Sequence, residues 1–563
     1  MTETWWKEAV VYQIYPRSFM DANNDGIGDL QGVMLKLDYL KELGIDIIWI
    51  CPMYKSPNAD NGYDISDYYA IMEEFGDMND FDLLLKEVHN RGMKLILDLV
   101  INHTSDEHPW FLEARKSKGS NKRDWYIWKD GVDGKEPNNW ESIFGGSAWE
   151  YDVQTGQYYL HVFDKKQPDL NWENKLMREA IYEMMNWWLN KGIDGFRVDA
   201  ISHIKKQPGL PSLPNPKQLE YVPSFDYHMN VKGIMDFLFE LKEQTIAQFD
   251  IMTVGEANGV KIEEAEQWVG EENGIFNMIF QFEHLGLWDT ELEGSVDVVE
   301  LKKTLSKWQE GLHLKGWNAL FIENHDQPRA VSVWGNDEQY LSESAKALAV
   351  MYFLMQGTPF IYQGQEIGMK NVHFSTIEQY NDVGMKKFYE IETEKGRSHE
   401  EVMKIIQKKG RDNSRTPMQW NDTMNGGFSK ATPWFGENNN YIDTNVEQQL
   451  KEEDSILNFY KKLIQLRKYN KLFIYGKYEL ILENHPQIFA YQRSFKNEIA
   501  VVIVNLSDNE AHYQNEDILL SSDYLVMTNY QSDTHYNITS FSLNPYEARV
   551  ISNETMKGIG RLK

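Results

Sequence analysis

Cysteine is almost missing from this chain: Cys51 is the only one among 563 residues. No intrachain disulfide can form, so stability has to come from a packed interior, and a reducing compartment is the expected setting. Long apolar runs are missing as well. The longest uninterrupted one, Ala347 to Met355, falls far short of a bilayer span. The N-terminus, "MTETWWKEAVVYQIYP", lacks a basic stretch followed by an apolar core and a cleavage site, so no signal peptide is expected. Positive charge is scarce: 57 Lys and Arg stand against 86 Asp and Glu, a formal net charge of −29. Nucleic acid and anionic membranes reward the opposite balance and are excluded as partners. Internal repeats and low-complexity tracts are absent too. A cytoplasmic protein that meets small neutral or cationic ligands, as a monomer or weak homo-oligomer, is what these absences leave.

What is present is ample apolar material, 42% of residues, in a chain too long for one ordinary core. Short β-rich runs recur at 9–16, 45–52, 93–103, 193–200, 250–256, 275–283, 317–326 and 357–365. Between them lie stretches such as "LQGVMLKLDYLKELG" and "REAIYEMMNWWLNKG", with apolar residues three and four apart and a closing Gly. Eight strands alternating with helices predict an α/β fold, a (β/α)8 TIM barrel, with a doubly wound open sheet as the competitor. Residues 104–172, rich in Trp, Gly, Asn and Asp, exceed what one crossover needs and predict a small domain inserted after the third strand. From 477 to 563 short alternating strands predict a C-terminal all-β sandwich. The barrel then comprises 1–103 and 173–476.

Chemically active side chains gather at the ends of these runs. The third ends in Asp98 and His103, the fourth in Arg197 and Asp199, the fifth in Glu256, the seventh in His325 and Asp326; the second is followed by Asp60 and Tyr63. In a barrel all strand C-termini meet at one rim, where active sites are built. Each residue alone is as well explained as a local cap or ion pair; the set is not. Arg197 and Asp199 share one face of their strand, so Asp199 is expected to stay charged. Glu256 follows an apolar approach with no adjacent cation, and desolvation would raise its pKa. A charged and a protonated carboxyl are the two groups that glycoside cleavage requires. Asp326 would add a third charge to support a cationic transition state, and His103 and His325 can donate to sugar oxygens.

"DLVINH" (98–103), "GFRVDA" (195–200), "VGEA" (254–257), "ENHD" (323–326) and "QPDLNW" (167–172) together resemble the motifs of glycoside hydrolase family 13, the α-amylase family. "WWKEAVVYQIYPRSF" and "GRDNSRTPMQW" (410–420) resemble its α-glucosidase and oligo-1,6-glucosidase members. The likeness implies a retaining mechanism with Asp199 as nucleophile, Glu256 as acid/base and Asp326 as transition-state stabiliser. It also implies that Asp60, Tyr63, His103, Arg197, His325 and Arg411 surround the terminal glucose, with Phe163 and Gln167 lining the same pocket. Tyr63 would stack on the sugar, and Asp60 with Arg411 would close one end, so that single α-glucose units are removed from the non-reducing end of small oligosaccharides. Relatives preferring α-1,6 bonds tend to carry Val after the nucleophile, where this chain has Ala200; Asn258 would shape the acceptor side. Maltose and short α-1,4 oligosaccharides are therefore the expected substrates, with glucosyl transfer as a side reaction. The alternatives are an oligo-1,6-glucosidase, a sucrose- or trehalose-6-phosphate-acting relative, and a non-catalytic sugar-binding homologue. Ala200 also suits a tight strand end on size alone.

"DANNDGIGD" (21–29) spaces oxygen-bearing Asp21, Asn23, Asp25 and Asp29 around two glycines, much as in the first half of an EF-hand loop, though without its terminal Glu. With the carbonyl of Ile27 it would hold a structural Ca²⁺ or Mg²⁺, as related enzymes do; an Asx-rich turn is the plainer explanation. No organic cofactor is expected. His203 and the segment 203–216 read either as a lid over the site or as a polar connector.

Overall fold

The computed structural model describes residues 2–288, 296–515, 524–531 and 539–558. Eight parallel strands form its centre: β1 (Val11–Ile14), β2 (Ile47–Ile50), β3 (Lys94–Val100), β4 (Gly195–Asp199), β5 (Met252–Glu256), β6 (Met278–Phe280), β7 (Ala319–Leu320) and β8 (Thr358–Tyr362). Their hydrogen-bonded order is β6-β5-β4-β3-β2-β1-β8-β7. The two ends of that order face each other, with the Phe280 and Phe321 rings 4.8 Å apart. Each strand falls within an apolar run read from the sequence, and the barrel replaces the open sheet.

Alternation along the strands decides what fills the barrel. Successive residues point to opposite faces. Val11, Ile47, Trp49, Ile96, Met252, Val254, Met278, Phe280 and Phe360 form one buried cluster, while Tyr12, Ile48, Ile50, Leu95 and Leu97 belong to another that packs under the helices. The inward set continues two residues at a time into Gln13, Asp98, Arg197, Asp199 and Glu256. The polar residues therefore lie on the barrel's inner face, above an apolar plug. The helix Lys175–Lys191 shows how the return path is built: Asn174 accepts from the Met177 N–H at its start, and Gly192 takes φ 104° at its end. Trp188 is fully buried on that helix, whereas Trp187 remains partly exposed.

Two further parts complete the molecule. Within 104–172, Trp128–Lys129, Gln157–Leu160 and Trp149–Asp152 make a three-stranded sheet. Trp140–Glu141 pairs with Val222–Pro223 from the segment after β4. That segment does not stand free as a lid: Lys129, Asn138 and the Trp140 indole donate to the carbonyls of Gly209, Leu210 and Pro211. At the C-terminus a five-stranded antiparallel sheet and a two-stranded one enclose Ile488, Ala490, Val501, Ile503, Tyr513, Phe541 and Leu543. The larger sheet turns Phe489, Tyr491, Val502 and Val504 toward the barrel's own core. Lys302, buried on the helix Val298–Leu312, donates to the carbonyls of Leu482, His485 and Ile488 and ties the two together.

Candidate active site

At the open end of β4, Arg197 is the hub. Its Nη1 donates to Asp98 Oδ1 at 2.8 Å and to Asp199 Oδ1 at 2.6 Å, and its Nη2 donates to Glu256 Oε2. Three strands thus bring three acids onto one buried guanidinium. This differs from expectation in two respects. Glu256 does have a cation beside it, because β4 and β5 are paired neighbours and Arg197 reaches across. The expectation for Asp199 changes too. Burial raises its pKa well above the ordinary carboxylate value; Arg197 opposes this, while Glu256 and Asp98 add to it. One arginine divided among three acids cannot hold Asp199 down alone.

Ala200 follows Asp199 with φ 44° and ψ 32°, in the left-handed region, and its N–H donates to Glu256 Oε2 at 3.1 Å. The backbone turn that ends β4 therefore positions the second acid. Its small side chain has a structural reason, since β-branched residues are rare outliers there.

On the opposite side of the rim stands Asp326. Its Oδ1 accepts from Arg415 at 2.6 Å and from Arg411 at 3.4 Å, and its Oδ2 lies 3.1 Å from His325 Nε2. Burial opposes its charge, but His325, Arg411 and Arg415 hold its pKa well below the ordinary value. Burial likewise opposes the charge on His325, yet Asp326 raises that imidazole to about 10. His325 stacks on Tyr63 with centroids 5.3 Å apart, and its Nδ1 is 2.7 Å from the Gln13 amide. The Tyr63 hydroxyl donates to Asp98 Oδ2 at 3.0 Å.

The remaining wall combines neutral hydrogen-bonding groups with the Asp60–Arg411 ion pair. Gln167 Nε2 donates to Asp60 Oδ2 at 3.2 Å and to the Tyr63 carbonyl at 3.3 Å. His103 Nε2 lies 3.0 Å from the same carbonyl, and burial lowers the His103 pKa to about 3, so the ring is neutral. Phe163 packs against His103, centroids 5.1 Å apart. Arg411 Nη2 donates to Asp60 Oδ1 at 3.2 Å. Asp60, Tyr63, His103, Phe163, Gln167, Arg197, Ala200, His325 and Arg411 are thus brought together with the three acids. Asn258 is half-buried beyond Glu256 and takes no part in these contacts. Gln13, Arg415 and Asp382 belong to the cluster and were not foreseen. The inward phase of β1 would have marked Gln13, and Arg415 lies within "GRDNSRTPMQW"; Asp382 carries no motif.

The loop 21–29 is a closed Asx turn. Asp21 accepts from the N–H groups of Asn24 and Gly26, Asp25 from Ile27, and Asp29 from Ala22, Asn23 and Gly32. Ser429 also donates to Asp21. Among the described residues no three Asp, Glu, His or Cys side chains converge as a metal-ligand set.

Acids and an arginine at the C-terminal rim of a (β/α)8 barrel are an arrangement for splitting glycosidic bonds, and comparison with known proteins agrees. The description "Alpha amylase, catalytic domain" matches residues 13–476, and the chain is a glycoside hydrolase belonging to the α-amylase family. It is 64% identical over 550 residues to the probable oligo-1,6-glucosidase 3 of Bacillus subtilis (strain 168), spanning 98% of this chain and 99% of that protein. It is 54% identical over 559 residues to the oligo-1,6-glucosidase of Halalkalibacterium halodurans, spanning 98% and 99%. Its structure matches that of a Bacillus licheniformis trehalose-6-phosphate hydrolase with a TM-score of 0.93 at 44% identity, spanning 98% and 100% of the two chains. No helix among the described residues is long and apolar enough to cross a membrane.

Proposed function

We propose that the chain is an exo-acting, retaining α-glucosidase of the oligo-1,6-glucosidase kind, releasing single glucose units from the non-reducing end of short isomalto-oligosaccharides. The observation that carries this is the Asp199–Glu256 pair on Arg197. Two carboxyls on neighbouring strands that share one guanidinium, one on each terminal nitrogen, stand close together, as the short spacing of a retaining pair requires. Asp199 attacks the anomeric carbon while Glu256 gives its proton to the leaving oxygen. The covalent glucosyl-enzyme is then opened by water, which Glu256 deprotonates, and glucose leaves with its α-configuration. Asp326 faces the positive charge that grows on the ring. Asp60 with Arg411 forms the closed end that admits only a terminal sugar.

The linkage is supported by the names of the relatives, which favour α-1,6 over the α-1,4 preference expected from Ala200. Ala200 itself sustains a second reading, α-1,4 cleavage of maltose, since it leaves more room beside the nucleophile than Val would. Neutral sugars suit the site better than phosphorylated ones: Arg197, Arg411 and Arg415 are each already engaged by carboxylates, as is Lys206 by Asp169. Initial rates on maltose and isomaltose, with the released anomer followed by NMR, test all of this. Faster isomaltose cleavage with α-glucose released first is expected. Faster maltose cleavage would select the second reading, and β-glucose would defeat the retaining scheme.

We propose also that the loop 21–29 holds a structural Ca²⁺ or Mg²⁺ through Asp21, Asn23, Asp25, the Ile27 carbonyl and Asp29. The donor set is all oxygen, which suits a hard cation, and Asp21 Oδ1, both oxygens of Asp25 and Asp29 Oδ1 each accept a single hydrogen bond and keep a lone pair. The bound ion would offset the loop's charge and brace it against 428–434, where Ser429 and the Trp434 N–H already meet it.

A further inference from the structure

Arg411 touches three carboxylates, but not equally. Asp382 Oδ1 accepts from its Nε at 3.0 Å and its Nη2 at 2.9 Å, and Asp382 Oδ2 accepts from its backbone N–H at 3.0 Å. Asp60 and Asp326 stand farther off, at 3.2 and 3.4 Å. Asp382 is fully buried and caps the helix Val383–Glu394, accepting from the Gly384 N–H at 3.0 Å. Its own N–H donates to Asp412 Oδ2 at 2.8 Å. The chain around Asp382 and the chain around Arg411 therefore clasp each other, and the Phe144 ring supports the guanidinium 4.9 Å away.

An arginine side chain has many rotamers, and fixing one needs contacts on the side away from the pocket. Asp382 supplies them from behind. Burial alone would raise the Asp382 carboxyl, but Arg411 and then Arg415 bring it below the ordinary range, so the anchoring charge is present. Without it, the anions left to Arg411 are Asp60 and Asp326, and a tighter grip on Asp326 would cancel the charge that faces the transition state.

We propose that Asp382 is a positioning residue that holds Arg411 as the end wall of the glucose pocket, seated on Asp60 and kept from closing onto Asp326. This rests on the exo-acting function proposed above. Asp382→Asn keeps the shape and a capping oxygen but removes the charge, and Asp382→Ser keeps a cap should Asn fail to fold. On the preferred disaccharide either variant should raise KM about tenfold, the loss expected for a charge-assisted hydrogen bond. The kcat should fall as well, by about tenfold, because an Arg411 that closes onto Asp326 weakens the charge facing the transition state, and competitive inhibition by glucose should weaken in step with KM. Arg411→Ala should raise KM at least as much, and adding Asp382→Asn to it should change nothing further, because the acid acts only through the arginine. An unchanged KM, or an equal cost of Asp382→Asn with and without Arg411, would reduce Asp382 to a helix cap and overturn the proposal alone. Wild-type protein that releases no glucose from either disaccharide would defeat the exo-acting function as well.

Discussion

Tyr63 lies flat against His325, the two rings 10° from parallel and the phenol oxygen 2.6 Å from Nε2. The hydroxyl donates its hydrogen bond to Asp98, so its oxygen can accept from the imidazolium. A charged His325 is thus held between Asp326 and Tyr63, with Arg415 and Arg411 on the far side of Asp326.

The consequence is a pH dependence with a definite sign. The His325 pKa stands at about 10 in the folded chain, against about 6.5 when unfolded. Its contribution to stability is fully present below the unfolded value and is lost as pH rises through the folded one. Melting midpoints measured from pH 6 to 10 should fall more steeply for the wild type than for His325→Gln. Parallel curves would show that the imidazole is not charged in the fold.

Arg197→Leu leaves Asp98, Asp199 and Glu256 without their common partner. Breaking a buried pair from one side costs about 3–5 kcal/mol, so the melting midpoint should drop clearly. Turnover should drop by about 10²–10³-fold, comparable to losing one fixed electrostatic donor. Calorimetry and kcat on the same preparation check both; a fully active variant would mean the acids do not depend on Arg197. Asp199→Asn and Glu256→Gln should each abolish turnover in a folded protein.

Ala200→Val places a β-branched residue at φ 44°. The strain should cost about 1–3 kcal/mol of stability. Two added methyl groups beside the nucleophile should also raise the isomaltose-to-maltose rate ratio, roughly tenfold for a hydrophobic contact of that size. A less stable variant with an unchanged ratio would assign Ala200 to backbone conformation alone.

Calcium should raise the melting midpoint of chelator-treated protein, by an amount that grows with the logarithm of its concentration. Asp25→Ala, which removes a loop oxygen without touching the helix cap at Asp29, should abolish the response. A midpoint indifferent to both chelator and metal would leave 21–29 as the Asx turn its hydrogen bonds already make.

The barrel was legible because its strands are short apolar runs separated by helical periods, and both patterns are local. The acids were legible for a related reason: each ends a strand, and barrel geometry sends every strand end to one rim. Asp382 was not legible, since nothing near it in the chain distinguishes it from any polar residue opening a helix.

What the amino-acid order determined by itself is the architecture and the roster of reactive groups, because hydrophobic periodicity and strand phase are properties of neighbouring residues. What only the tertiary structure decided is who shares whom: that Arg197 serves Glu256 as well as Asp199, that Asp382 stands behind Arg411, and that the turn at Ala200 aims an N–H at the second acid. Those pairings join residues on different strands and loops, and charge energies depend on separations in space that no spacing along the chain encodes.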